Sequence, residues 1–93
     1  MQFFVLARRR TEAFDEAQFA EHLDAEAVRV RELYADGVIR SAYSRADMPG
    51  AILMLEAADL AEAEEIVGTL PLVELGMLET TIVHVRGYRG FAG

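Results

Sequence analysis

A carboxylate and an imidazole stand one turn apart in a segment whose spacing predicts a helix. Glu26 and His22 are separated by four residues, and apolar residues recur around them at Phe19, Leu23 and Leu33. At about 100° per residue, Glu26 falls within the apolar stripe. Since burying an ionised carboxylate is costly, Glu26 should have a raised pKa, be paired or line a pocket. We therefore predict Glu26 as a general acid/base and His22 as the neighbour that tunes it.

A structural interpretation of Glu26 stays open beside the catalytic one. The carboxylate could form an internal ion pair with an arginine on the sheet, such as Arg40, or turn outwards to solvent. Arg40 and Tyr43 are predicted on one strand with side chains on opposite faces, and either could orient an anionic or carbonyl substrate. An arginine on a strand is also commonly just solvated. We retain Arg40 and Tyr43 as candidate substrate-binding residues.

The signals for a metal or cofactor are weak. The chain has two histidines, no cysteine, and neither His-x-x-x-His nor Glu-x-x-His spacing. His84 should share a strand face with Ile82 and Thr80, where a histidine is more often structural than a ligand. The acidic residues Glu62, Glu64 and Glu65 are typical of a solvated helix face. We predict neither a metal nor a cofactor.

Composition narrows the classes of partner. Nine Arg residues against sixteen Asp and Glu residues give a formal net charge of −7, which disfavours nucleic acid and anionic membranes. The chain lacks Lys, so it cannot form a Schiff base. No apolar run approaches the roughly 18 residues that span a bilayer, and no cleavage-site pattern follows the apolar residues 1–7. We expect a cytoplasmic protein without nucleic-acid or membrane partners.

The elements that position these residues follow a βαββαβ order. Asp15 with Gln18, and Asp59 with Glu62, are capping pairs that open the two helices, while Gly37 and Pro71 end them. The predicted elements are a strand over 2–9, a helix over 16–35, strands over 38–45 and 51–55, a helix from 60, a loop over 72–76 and a strand over 78–85. This order predicts an α+β, ferredoxin-like domain over 1–93, with an antiparallel four-stranded sheet and both helices on one face.

The apolar pattern also predicts self-association. Strands one and three are apolar on both sides, and helices can cover only one face of the sheet. A chain of this size buries only about 60 to 65% of its unfolded surface, so a second copy is the simplest cover for the other face. The C-terminal tail of the chain, residues 87–93, could be flexible, or Tyr88 and Phe91 could pack on that second copy. The pocket should then lie between the sheet and the first helix, where Glu26 points.

Two short motifs carry a family resemblance. The run Leu33-Tyr-Ala-Asp-Gly-Val-Ile-Arg40, together with Thr69-Leu-Pro-Leu-Val73, resembles the muconolactone isomerase group of the dimeric α+β barrel superfamily, and YCII-like proteins share this layout. The resemblance implies two ferredoxin-like subunits packed sheet to sheet, with further assembly into rings in the isomerases. It also implies a proton shift in a butenolide. Glu26 matches a carboxylate position on the isomerase helix, where YCII-like proteins tend to carry a His.

Three functions follow from these observations. The first is an isomerase-like or lyase-like enzyme acting on a lactone or cyclic enone, with Glu26 moving the proton and His22 or Arg40 tuning it. The second is a non-catalytic dimeric module that binds a small apolar ligand or a partner enzyme. The third is a monooxygenase-like protein of the same superfamily. If such a protein bound heme, His22 or His84 would have to point into a large pocket as the proximal ligand.

Overall fold

The computed structural model describes residues 1–91 and has the predicted α+β architecture. Its four strands pair antiparallel, and across the sheet the second strand in chain order is followed by the third, the first and the fourth, which is the order of a ferredoxin-like sheet. A 3-10 turn over Arg89–Phe91 follows the last strand. The elements in chain order are β1 (Gln2–Arg9), α1 (Glu16–Ala35), β2 (Ile39–Ser44), β3 (Gly50–Glu56), α2 (Leu60–Gly68), α3 (Pro71–Glu74) and β4 (Leu78–Val85).

Helix α1 begins and ends where its sequence signals predict. The Asp15 side chain accepts a hydrogen bond from the Gln18 amide at 2.9 Å, and the Gln18 side chain accepts one from the Asp15 amide at 2.8 Å. This reciprocal pair is a capping box, which satisfies two amides that the first turn leaves free. At the other end Gly37 has φ +77°, a left-handed conformation that glycine adopts without strain. These two ends fix the length of the helix that carries Glu26.

The predicted loop over 72–76 is wrong in its first half, because α3 occupies Pro71–Glu74. Pro71 ends α2 as expected, but it also starts a new helical turn. Proline suits the first helical position because its φ is already near the helical value and it has no amide to satisfy. The turn buries Leu72, which packs with Phe19 and Met77. Helix α3 therefore lies beside the first half of α1.

The two faces of the sheet are both apolar. The helices pack on the covered face, where Phe3, Val5, Leu53 and Leu55 are almost fully buried. Because side chains alternate along a strand, their neighbours point to the opposite, open face. That open face carries Phe4, Leu6, Ile52, Met54 and Val83, which are partly buried or exposed.

The C-terminal tail projects two aromatic side chains. Tyr88 and Phe91 contact each other edge to face, with ring centroids 5.3 Å apart, and both are exposed. Whether the tail is flexible or lies on a partner remains a prediction, and its last residues, Ala92 and Gly93, lie outside the described part of the chain. Within residues 1–91 no helix is both long and apolar enough to cross a bilayer.

Candidate functional site

A cavity of about 320 Å³ lies between α1 and the covered face of the sheet. This is where the sequence predicts a pocket. Helix α1 contributes residues spaced three and four apart, which is the spacing of one helical face. The sheet contributes residues from all four strands. The apolar lining residues are Leu23, Ala27 and Val30 of α1, Val5, Ala7, Ala42, Ala51, Leu53 and Leu78 of the sheet, and Leu70.

Four residues with polar side chains interrupt the mostly aliphatic wall: Glu26 and Arg31 of α1, and Tyr43 and Ser44 at the end of β2. Their placement follows from the local structure, because Arg31 lies one turn after Ala27, and Ser44 is two residues beyond Ala42 on the same strand face. A few polar groups in an aliphatic cavity are the usual arrangement of a small-molecule site.

Glu26 makes a specific tertiary contact with α3. Its Oε1 accepts a hydrogen bond from the Leu72 amide at 3.0 Å. Leu72 is the second residue of α3, and the N-cap residue Leu70 supplies no side-chain cap of its own. Glu26 therefore caps α3 from a neighbouring helix, satisfying an amide that would otherwise lack a partner.

The environment of Glu26 favours its protonated form. Partial burial of the carboxylate raises its pKa, and the hydrogen bond from the Leu72 amide opposes that rise without cancelling it. No arginine or histidine nitrogen of residues 1–91 lies within 4 Å of the carboxylate. The alternative ion pair with Arg40 is therefore absent, and the carboxylate interacts with a backbone amide instead.

The structure does not bring His22 to the cavity. His22 is partly exposed, does not line the cavity, and forms no hydrogen bond with Glu26 in the described chain. At 100° per residue, His22 lies beyond Glu26 on the side of α1 that turns away from Leu23 and Ala27. The i, i+4 spacing places the two side chains on neighbouring turns, but it does not make them partners.

The candidate substrate-binding residues are placed differently from each other. The register of β2 against β3 shifts between Ile39 and Ser41, so Arg40 lies in a bulge, exposed and outside the cavity lining. Tyr43 belongs to the cavity wall, but it pairs with Ile52, whose side chain lies on the open face. Alternation therefore directs the Tyr43 ring away from the cavity, and the side chain is 63% exposed.

Residues 1–85 match the model of the YCII-related domain family. The chain belongs to this family. The match spans all four strands and the three helices α1 to α3, including Glu26 and the cavity. No curated protein matches the sequence.

Two solved structures share the fold of this YCII-related domain. One is 5-chloro-2-hydroxyhydroquinone dehydrochlorinase from Burkholderia phenoliruptrix AC1100 in complex with 2,5-dihydroxybenzoquinone, with a TM-score of 0.78 and 19% identity over 97% of this chain and 98% of that one. The other is muconolactone isomerase, with a TM-score of 0.79 and 14% identity over 100% of this chain and 96% of that one. These matches confirm the resemblance at the level of the fold.

Sequence reasoning missed Arg31 and Ser44 as cavity residues. Arg31 could have been found, because it lies four residues after Ala27 on the edge of the stripe. Ser44 could not, because the bulge at Arg40 changes which residues of β2 share a face. Arg31 lines the cavity and is exposed, and no carboxylate of residues 1–91 lies within salt-bridge distance of its guanidinium.

The histidines of the YCII-related domain lie away from the cavity lining. The His84 ring packs against Phe3, with centroids 5.0 Å apart, as expected of a structural histidine on a sheet. Within the described residues no group of three or more His, Cys, Asp or Glu side chains could hold a metal ion. The acidic residues Glu62, Glu64 and Glu65 are exposed on α2, which confirms that they form a solvated face.

Proposed function

We propose that this YCII-related domain is a small enzyme that moves a proton on a cyclic enone or lactone, with Glu26 as general acid and base. The observation that carries the proposal is a partly desolvated carboxylate in the wall of an aliphatic cavity, with a raised pKa and no basic partner among residues 1–91. A group of this kind is poised to take a proton and to return it.

The chemistry needs one base and donors for a developing negative charge. The carboxylate of Glu26 takes a proton from a ring carbon activated by the carbonyl, and the electron pair of the broken C–H bond delocalises into a dienolate. The carboxylic acid then returns the same proton to the far end of the dienolate, and the double bond has moved. The Ser44 hydroxyl and the Arg31 guanidinium line the same cavity and can donate to the dienolate oxygen.

The substrate class is supported by the cavity and by the structural relatives. A volume of about 320 Å³ with aliphatic walls suits a small ring rather than a chain polymer. The names of the two structural relatives specify reactions of a muconolactone and of a chlorinated hydroxyhydroquinone, both small oxygenated rings. Since these relatives are distant, they support the class of substrate and leave its identity to experiment.

The decisive experiment compares Glu26→Gln with the wild-type protein. Glutamine keeps an oxygen that can accept from the Leu72 amide, but it cannot exchange a proton, so folding should persist while catalysis falls by about 100-fold to 10,000-fold. The measurement is hydrogen–deuterium exchange and double-bond migration of butenolides and cyclic enones in D₂O, followed by NMR. The matched control is Glu21→Gln, an exposed residue of α1. Exchange at the wild-type rate in Glu26→Gln would end the catalytic proposal.

A second candidate is a module that binds a small apolar ring without transforming it. It is favoured by the contact with Leu72, because a role in capping α3 explains why α1 carries a carboxylate at this position. This candidate predicts that the same compounds bind to wild type and to Glu26→Gln with similar affinity, and that neither protein exchanges their protons. The monooxygenase-like alternative gains no support, since heme would need His22 or His84 at the cavity.

We also propose that the working unit is a pair of chains joined through the open face. Phe4, Leu6, Ile52 and Met54 form a contiguous apolar surface on β1 and β3, and Val83 extends it onto β4. Apolar side chains of this size on a sheet face are typical of an interface rather than of a solvated surface.

A further inference from the structure

Two polar contacts tie α1 to the segment that joins α2 and α3. The Nε of Arg29 donates to the Thr69 Oγ1 at 3.1 Å, and the Leu72 amide donates to the Glu26 Oε1 at 3.0 Å. Glu26 and Arg29 are three residues apart, so they are neighbours on one side of α1. Thr69 and Leu72 lie on either side of Pro71. The two contacts together form a clamp on the start of α3.

The Thr69 hydroxyl is itself fixed. It donates to the Ile66 carbonyl at 2.7 Å, so its hydrogen is engaged and its lone pairs face the Arg29 guanidinium. Thr69 is also the C-cap residue of α2. A side-chain hydrogen bond at a fixed point therefore sets the distance between α1 and the residues that lead into α3.

The two oxygens of Glu26 are not equivalent. Oε1 accepts from the Leu72 amide, whereas Oε2 has no hydrogen-bond partner in residues 1–91. No buried polar side-chain atom in that part of the chain lacks a partner, so solvent must reach Oε2. Since Glu26 lines the cavity and its Oε1 is engaged by the Leu72 amide, Oε2 is the oxygen left to accept from a ligand. The position of the Leu72 amide thus determines which oxygen is available.

We propose that Arg29 and Thr69 are positioning residues that hold the Leu72 amide on Oε1, so that Oε2 of Glu26 faces the cavity and carries the proton. The final step, proton transfer to a substrate, rests on the proposed function. The positioning itself can be measured on the free protein.

Few charged or titratable groups surround Glu26, so the hydrogen bond from the Leu72 amide has a marked effect on the pKa of its carboxyl group. On α1 they are His22, which lies one turn before Glu26 and forms no hydrogen bond with it, Arg29, which is tied to Thr69 and Glu32, and Arg31 at the cavity. The sheet contributes no charged residue to the cavity lining, and Glu74 of α3 is exposed. Because the Leu72 amide lowers the pKa of Glu26 against the effect of burial, loosening that amide should raise the pKa further.

The test is Thr69→Val, with Thr69→Ser as its matched control. Valine has nearly the same shape as threonine but no hydroxyl. Because Arg29 keeps its charge in this variant, a change in the pKa of Glu26 cannot be caused by the loss of a charge. One readout is the pKa of Glu26, from the ¹³C shift of its carboxyl carbon across a pH titration. The other is the hydrogen-exchange rate of the Leu72 amide, which reports the capping contact directly.

In Thr69→Val we expect the pKa of Glu26 to rise by about half a unit or more and the Leu72 amide to exchange about tenfold faster, while Thr69→Ser behaves like wild type. An unchanged titration and an unchanged Leu72 exchange in Thr69→Val would overturn the positioning role. If Thr69→Val does not fold, Arg29→Met replaces it, judged by Leu72 exchange alone, with the same expectation and the same contradicting result. Loss of turnover in Glu26→Gln without these changes would leave the proposed function standing and this inference refuted.

Discussion

The two faces of one sheet differ in side-chain size around the cavity, and the difference separates the cavity from the surface through which we propose that two chains pair. Both faces are apolar, and they are built from alternating residues of the same strands. At the cavity the covered face carries the small side chains of Ala7, Ala42, Ser44 and Ala51 beside the larger ones of Val5 and Leu53. The open face carries larger ones, namely Phe4, Leu6, Ile52 and Met54. Hydrophobicity alone therefore does not distinguish a ligand site from an interface; the volume left by the side chains does.

The largest effect should come from filling the cavity. Ala42→Leu adds a branched side chain at the exposed β2 edge of the cavity, where space is available. We expect turnover of any lactone or enone substrate to fall by about 100-fold, because a displaced ring no longer meets Glu26. The protein should keep its fold and its oligomeric state. The measurements are steady-state kinetics and light scattering.

Ala61→Leu is the matched control for that variant, because Ala61 is exposed on α2 and away from the cavity. It should leave the kinetics unchanged. Full activity in Ala42→Leu would mean that the reaction takes place elsewhere on the molecule. The small side chains at the cavity would then not serve to make room for a substrate.

A charge on the open face should act on pairing. Met54→Arg places a guanidinium among Phe4, Leu6 and Ile52, and desolvating two such charges across a symmetric interface is unfavourable. We expect the dissociation constant of the pair to rise by about 100-fold, measured by analytical ultracentrifugation over a range of concentrations. Ala61→Arg makes the same change of charge on α2 and should leave association unaffected. A Met54→Arg protein that associates like wild type would place the interface on another surface.

Much of this architecture could be predicted from local patterns. Apolar runs in the sequence predict the strands. Asp15, Gln18 and Gly37 predict the ends of α1, because capping depends on residues close in sequence. The apolar stripe of α1 likewise predicts that Glu26 lies beside a pocket, because the stripe is formed by residues close in sequence. Periodicity is a strong signal when an element spans several turns.

The parts that could not be predicted have physical causes. Helix α3 is four residues long, too short to show a helical period, so it was expected to be a loop. The bulge at Arg40 leaves no mark in the alternation of β2, and it moved Arg40 away from the cavity. The partner of Glu26 is the backbone amide of Leu72, and an amide has no signature in a sequence. Contacts of that kind follow only from the tertiary fold.

The pH dependence of stability gives the smallest effect and tests the environment of Glu26 directly. A carboxyl whose pKa is raised by folding is protonated in both states at a pH well below the ordinary pKa of a glutamate, so its contribution to stability is fully present there. As the pH rises through the raised pKa, the folded protein must ionise a partly desolvated group, and that stability is lost. Glutamine at the same position does not ionise. The melting temperature of Glu26→Gln relative to wild type should therefore increase with pH.

Calorimetry at several values between about pH 4 and pH 8 measures this difference, at equal protein concentrations because the proposed pairing of chains would also stabilise the fold. We expect a few degrees in favour of Glu26→Gln at neutral pH, since about 1 kcal/mol moves the melting temperature of a domain this size by about 4 to 8 °C. Glu12 and Asp47 have lowered pKa values and act with the opposite sign, but they are present in both proteins and cancel. If the wild-type protein instead gains stability over Glu26→Gln as the pH rises, the ionised carboxylate is the stabilised form. The contact with Leu72 would then outweigh burial, and Glu26 would be a structural cap rather than a base held ready for a proton.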